Sequence, residues 1–81
     1  MKLTFASGFQ ESFNDLPVAA QEKFYKQTRF LLHNLRHPSL RSKKYDESRG
    51  IWQARVDSKY RFYFLIEENT YFILDIGSHP K

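Results

Sequence analysis

Between Gly50 and His79, polar and apolar residues alternate with the period of two that is typical of β-strands. Two short polar stretches, 57–59 and 67–69, interrupt the alternation, so the pattern predicts three strands joined by two tight turns. A three-residue first turn sets Ala54 opposite Phe62 and gathers the large apolar side chains of both strands on one face. A slip of one residue would mix the two faces, so the pattern itself selects this register.

The opposite face of this predicted meander is cationic. The first turn places Arg55 directly opposite Arg61, and like charges in that position are destabilising, which indicates that an anion binds between them. A three-residue second turn sets Arg61 against Asp75 and directs Phe72 and Leu74 to the apolar face. The polar face then also carries His79. Four residues on the same face are left uncovered and can form the base of a cleft or bind a partner segment: Tyr63, Leu65, Tyr71 and Ile73.

The first half of the chain predicts a short strand and two helices. Lys2–Ala6 alternates like a strand, and 9–16 reads as a short helix with Ser7 as its cap. Pro17 suits the first position of a second helix, which should run to about Arg36 because a proline follows soon after. An apolar stripe at helical spacing marks the side that covers the sheet: Leu16, Ala20, Phe24, Leu31 and Leu35.

Residues 38–49 contain few apolar side chains and predict a connecting loop. The elements together predict an α+β domain of order β-α-α-β-β-β, in which a helical hairpin packs on one face of a twisted, mainly antiparallel four-stranded sheet. The predicted core consists of Leu3, Phe5, Phe13, Leu16, Phe24, Leu31, Leu35, Trp52, Val56, Phe62, Phe64, Phe72 and Leu74.

Composition supports one small domain spanning residues 1–81, since the chain is 41% hydrophobic and 17% aromatic. There is no cysteine and no apolar run typical of a signal peptide or membrane span, so we expect a cytoplasmic protein. The net charge of +4 is uneven: residues 36–61 hold eight Lys or Arg against three acidic residues. Such a segment favours a polyanion partner over a merely solvated basic face.

Arg55 and Arg61 are the strongest candidates for binding an anion, because a guanidinium can donate two parallel hydrogen bonds to a phosphate and stays charged. Lys43 and Lys44 can add charge, and His79 is a candidate acid or base. His33 and His37 lack an obvious third ligand, so we expect no metal site and no cofactor. The predicted RNA-binding set is Arg41, Lys43, Lys44, Tyr45, Arg49, Arg55, Lys59 and Tyr63.

The chain resembles RelE/ParE-superfamily toxins of bacterial toxin–antitoxin systems. The resemblance rests on the leading strand, the helix pair with Leu16-Pro17, and HPSLRSKKYDESRGIWQARVDSKYRFYF followed by ILDIGSHPK. It implies a helical hairpin on a twisted sheet, an antitoxin that wraps and inhibits the protein, and a metal-independent endoribonuclease that cuts mRNA on the ribosome. ParE-type members, in contrast, act on DNA gyrase without nuclease activity, and a third alternative is a non-toxic relative that only binds its antitoxin.

The resemblance also implies roles for single residues. In the RelE-type reaction the ribose 2′-OH attacks the adjacent phosphate. Arg55 and Arg61 match the phosphate-binding arginines, Lys43 or Lys44 matches the basic loop position, and His79 matches the C-terminal histidine or tyrosine region. Glu47 is a candidate for the general base.

Overall fold

The computed structural model describes residues 1–78 of the chain. Its helices are α1 (Phe9–Asn14) and α2 (Val18–His33), followed by a single 3₁₀ turn (Pro38–Leu40). Its strands are β1 (Lys2–Phe5), β2 (Lys43–Asp46), β3 (Ile51–Arg55), β4 (Tyr60–Glu67) and β5 (Thr70–Ser78). No helix in this part of the chain is long and apolar enough to cross a membrane.

The strands form one mixed sheet of order β1-β5-β4-β3-β2, in which β1 is parallel to β5 and all other neighbours are antiparallel. The α+β class and the helix pair packed on one sheet face are confirmed. The strand count of four is wrong, because β2, predicted as loop, pairs with β3. Strand β2 begins with two lysines, so it lacks the alternation of apolar residues that marks a strand. Charged side chains are common on edge strands because they discourage pairing with other chains.

The register of the first hairpin is confirmed, with Ala54 opposite Phe62 and Arg55 opposite Arg61. The register of the second hairpin is wrong. Glu67 pairs with Thr70, so the turn has two residues and not three. Glu68 adopts the left-handed conformation in this turn, with φ 51°.

A β-bulge in β5, between the residues that pair with Phe64 and Tyr63 of β4, then shifts the alignment of the two strands a second time. Before the bulge Phe64 faces Ile73, and after it Tyr63 faces Asp75. One extra residue in β5 therefore lies unpaired at Leu74, and the face to which each β5 side chain points reverses at that position.

This double shift explains the errors in the predicted core. Phe72 and Leu74 are only half-buried, and Tyr71, Ile73 and Ile76 enter the core in their place. Seven residues are buried as predicted: Phe13, Leu16, Phe24, Leu31, Val56, Phe62 and Phe64. Three others pack at the border of the core: Leu3, Leu35 and Trp52. Phe5 is exposed, and the prediction omitted Phe9, Ala20, Leu40 and Ala54.

An aromatic pair joins the helical layer to the sheet. Phe24 of α2 meets Phe62 of β4 edge to face, with ring centroids 5.2 Å apart. The helix is shorter than predicted, since it ends at His33 with Asn34 as its C-cap and begins after Pro17, which is the N-cap. Gly8, not Ser7, precedes α1. The sheet face opposite the helices, which carries Arg55, Arg61 and Tyr63, is called the open face below.

Candidate functional site

Arg55 and Arg61 share one backbone acceptor on the open face. Arg55 Nε donates to the Asp57 carbonyl at 3.2 Å, and Arg61 Nη1 donates to the same oxygen at 2.7 Å and to the Tyr60 carbonyl at 3.0 Å. The β3–β4 turn thus holds both guanidinium groups without neutralising them. Each guanidinium carries five N–H donors, so most of them remain available to a ligand.

An open cleft of about 290 Å³ lies beside this pair, and we call it the cationic cleft. Its lining consists of Arg41, Lys43, Gln53, Arg55 and Arg61. No ion pair among residues 1–78 engages any of these four cations. Four adjacent unpaired cations repel one another, and an anion in the cleft would relieve that repulsion.

The predicted pairing of Arg61 with Asp75 is wrong. The bulge in β5 sets Gly77 opposite Arg61 and sets Asp75 opposite Tyr63. The Asp75 carboxylate accepts the neighbouring Ile76 N–H at 2.9 Å. Asp75 is therefore not the strand partner of Arg61, and the Asp57 carbonyl orients that arginine instead.

Arg41 reaches the cleft from a left-handed backbone conformation, with φ 48° and ψ 46°, directly after the 3₁₀ turn. This conformation costs a non-glycine residue about 1–2 kcal/mol. Strained residues of this kind cluster at ligand-binding positions, where the surrounding structure holds them in place. The buried Leu40 beside it anchors the turn from which Arg41 projects.

Lys43 and Lys44 point to opposite faces of the sheet. Lys43 pairs with Gln53 and lines the cationic cleft. Lys44 pairs with Trp52, and its Nζ lies 5.4 Å from that ring and 3.9 Å from the Glu47 carboxylate. Of the two lysines, the structure therefore brings only Lys43 to the arginine pair.

Gln27 is a buried polar residue that the sequence analysis did not identify. Its Nε2 donates to the Arg55 carbonyl at 2.7 Å and to the Ser39 carbonyl at 3.1 Å, and its Oε1 accepts the Ser39 hydroxyl at 3.0 Å. Because the Val56 N–H bonds to Tyr60 of β4, the Arg55 carbonyl points the other way, beyond the end of β2. Gln27 replaces the missing strand partner there and fixes the backbone of Arg55. A polar residue in line with the apolar stripe of α2 was the available signal.

Asp57 organises the turn that carries the arginines. Its Oδ1 accepts the Lys59 N–H at 2.8 Å and the Tyr60 N–H at 2.9 Å, and Lys23 of α2 lies 3.7 Å from Oδ2. Partial burial opposes ionisation of this carboxyl, but the two N–H bonds and the Lys23 charge together hold its pKa below the usual range. The charged form of Asp57 therefore stabilises the turn.

Tyr45 and Tyr63 form an aromatic pair on the open face, with ring centroids 4.9 Å apart. Burial raises the pKa of Tyr63, and the neighbouring Tyr45 hydroxyl and Asp75 carboxylate act in the same direction, while Arg61 opposes them. Tyr63 thus lies between the cationic cleft and the carboxylate, and it stays a neutral hydrogen-bonding group at neutral pH.

Among the described residues, the other predicted site residues do not line the cationic cleft. Arg49 pairs with Asp46 at 3.2 Å, Lys59 lies in the β3–β4 turn, and Glu47 is largely exposed beside Lys44. His79 lies outside the described residues. His37 accepts the Ser39 N–H and stacks on Phe30, and residues 1–78 contain no cluster of three metal-binding side chains.

Comparisons with protein-family models and with curated proteins find no match. Solved structures do match. The YoeB/ParE toxin from Agrobacterium tumefaciens has a TM-score of 0.81 and 14% identity over 99% of this chain and 100% of its own. A chain of the archaeal RelE–RelB complex from Pyrococcus horikoshii has a TM-score of 0.78 and 15% identity over 95% of this chain and 92% of its own.

A chain of the YoeB–YefM toxin–antitoxin complex from Staphylococcus aureus matches with a TM-score of 0.77 and 14% identity, over 96% of this chain and 95% of its own. Identities this low establish the fold alone. The chain has the fold of the RelE/ParE-superfamily toxins, which confirms the fold that the sequence resemblance implied.

Proposed function

We propose that this protein is the toxin of a toxin–antitoxin system and that it cleaves mRNA at the cationic cleft. One observation carries the proposal: four cations line a single cleft on the open face, and among residues 1–78 no acidic side chain lines it with them. Two further facts support it. The structural neighbours with this fold are toxins, and the positive segment of the chain suits a polyanion substrate.

The cleft suits a phosphodiester that is attacked by the neighbouring 2′-OH. In this reaction the 2′ oxygen bonds to phosphorus, the bond to the 5′ oxygen breaks, and a 2′,3′-cyclic phosphate remains. Negative charge builds on the phosphoryl oxygens in the transition state. Arg61 and Arg55, oriented by the Asp57 carbonyl, are the proposed groups that stabilise this charge.

Proton transfer needs a group beyond the described lining of the cleft, which contains neither a carboxylate nor an imidazole among Arg41, Lys43, Gln53, Arg55 and Arg61. His79 stays our candidate for this role, since an imidazole exchanges protons near neutral pH. Glu47 is a weaker candidate, because its side chain is 82% exposed and pairs with Lys44 on the other side of β2.

The proposed protein partner is an antitoxin encoded beside this gene. Two of the matched structures are toxin–antitoxin complexes, RelE–RelB and YoeB–YefM. An acidic segment that covers the cationic cleft would neutralise the four cations and exclude RNA at the same time. Such a segment should be disordered when free.

Induced expression in bacteria tests the proposed activity. Growth should stop while mRNA acquires defined internal ends, which primer extension detects, and protein synthesis should fall before DNA synthesis. DNA damage and filamentation with intact mRNA would instead indicate a gyrase inhibitor. Unchanged growth in a strain that lacks the antitoxin would indicate a non-toxic relative.

A further inference from the structure

A second open cleft, of about 380 Å³, lies on the open face, and its Tyr63 is the strand partner of Gln53, which lines the cationic cleft. We call it the tyrosine cleft, after Tyr45 and Tyr63, which line it with Ile51, Leu74 and Asp75. Its volume lies in the range of small-ligand sites. Tyr45 is 55% exposed, so its ring is free to stack on a planar group.

The β5 bulge brings Asp75 to this cleft. In the register that holds before the bulge, Asp75 would fall opposite Phe62 and point into the core. The extra residue at Leu74 turns Asp75 to the open face beside Tyr63 and turns Ile76 to the core, where it is 3% exposed. Bulges that re-aim a side chain in this way are common next to active sites.

The Asp75 carboxylate retains acceptor capacity in this position. Its Oδ1 takes the Ile76 N–H, and no ion pair within the described part of the chain engages it. A carboxylate offers about four acceptor sites and no donor. Its two oxygens can therefore accept two adjacent N–H donors of a ligand.

The distance between the two clefts is one that the phosphate and the base of a single nucleotide can span. Arg61 and Tyr63 are same-face neighbours on β4, about 7 Å apart. A phosphate bound by Arg61 would thus have its adjoining base within reach of the tyrosine cleft. Stacking on an aromatic ring accepts any base, and hydrogen bonds to the Watson–Crick edge select among bases in single-stranded RNA.

From this placement, and resting on the proposed function, we propose that the tyrosine cleft binds a base adjoining the scissile phosphate and that Asp75 selects guanine. Guanine presents its N1–H and amino group side by side, which matches two carboxylate oxygens. Uracil presents one N–H between two carbonyl oxygens, which a carboxylate repels. Tyr45 supplies stacking without selection.

NMR titration with two deoxydinucleotides, d(GpG) and d(UpU), tests this proposal. Both carry a base on each side of one phosphate, and neither has the 2′-OH needed for cleavage. The wild-type protein should bind d(GpG) roughly tenfold more tightly, as expected for a paired base contact. Asp75→Asn keeps the acceptor for the Ile76 N–H but adds a donor, so the variant should fold normally and lose this preference.

Two further variants separate selection from general affinity. Glu67→Gln removes the same charge at the far end of the β4–β5 hairpin and should retain the preference. Tyr45→Ala should weaken the binding of both dinucleotides by a similar factor of roughly ten. Equal binding of the two dinucleotides by wild type, no binding of either, or a preference that survives Asp75→Asn would overturn the proposal.

The outcome is independent of the cleavage test. If guanine preference disappears in Asp75→Asn but the induced protein cuts no mRNA, the base site stands and the nuclease function fails. If mRNA is cut and the dinucleotides bind equally, the nuclease function stands and the role of Asp75 fails.

Discussion

Replacing Gln27 by leucine tests how the helix layer supports the cationic cleft. Gln27 is 3% exposed and makes three hydrogen bonds, one of them the 2.7 Å bond to the Arg55 carbonyl. At about 1 kcal/mol for each bond, Gln27→Leu should lower the free energy of unfolding by about 3 kcal/mol. For a domain of this size the Tm should fall by roughly 12–24 °C.

The same substitution should reduce cleavage even where the variant is fully folded. The Arg55 backbone would lose the bond that replaces a strand partner, and small misplacements of a catalytic group can cost about 10²-fold in rate. Melting curves followed by circular dichroism measure the first effect, and mRNA cleavage well below the variant's Tm measures the second.

Gln10→Leu is the matched control for this experiment. It makes the same chemical change on α1, where Gln10 is exposed and its side chain donates to Asn14 Oδ1 at 2.8 Å. Its stability should change by less than about 0.5 kcal/mol. A Gln27→Leu protein that melts like the Gln10→Leu control would refute the role assigned to Gln27.

Three further predictions concern charge. Lys43→Ala should reduce mRNA cleavage at least tenfold while the adjacent Lys44→Ala changes it little, because of these two lysines only Lys43 lines the cationic cleft. Parallel cleavage assays measure both variants, and equal losses would contradict the assignment. The folded-state pKa of Asp57 is lowered, so its stabilisation is present above the unfolded pKa of about 3.8 and is lost as pH falls through the folded value. Wild type should therefore be more stable than Asp57→Asn at pH 7, and denaturant titrations should show that this difference shrinks below about pH 4; a constant difference would contradict it. Antitoxin binding should weaken as salt rises, measured by calorimetry at several ionic strengths, and salt-independent affinity would count against an electrostatic interface.

The first hairpin was predictable because its side chains alternate without interruption across a single turn. The same parity rule failed in β5, where apolar residues occupy both faces and Ile73 and Leu74 are equivalent by hydropathy. The turn, which has two residues and not three, and the bulge at Leu74 each reverse the face of the β5 side chains that follow, and nothing in the local composition marks the bulge. Edge strand β2 was missed for a related reason, since its backbone pairs with β3 while its side chains stay polar.

The cationic character of the site was predictable, but its geometry was not. Opposed arginines follow from register alone, and the structure places Arg55 opposite Arg61 as expected. The shared bond to the Asp57 carbonyl and the support from Gln27 depend on backbone direction and helix docking. Lys43 and Lys44 could not be distinguished until β2 was known to be a strand.

Arg61→Ala tests the central claim most directly, because Arg61 is the group proposed to stabilise the negative charge of the transition state. The substitution removes two hydrogen bonds to backbone carbonyls but relieves the repulsion with Arg55, so the Tm should change by only a few degrees. Cleavage of ribosome-bound mRNA by the purified protein should fall about 10²–10³-fold, as for loss of one oxyanion donor, and growth inhibition should disappear. A folded Arg61→Ala protein that cleaves mRNA and stops growth like wild type would contradict the claim that the cationic cleft is the active site.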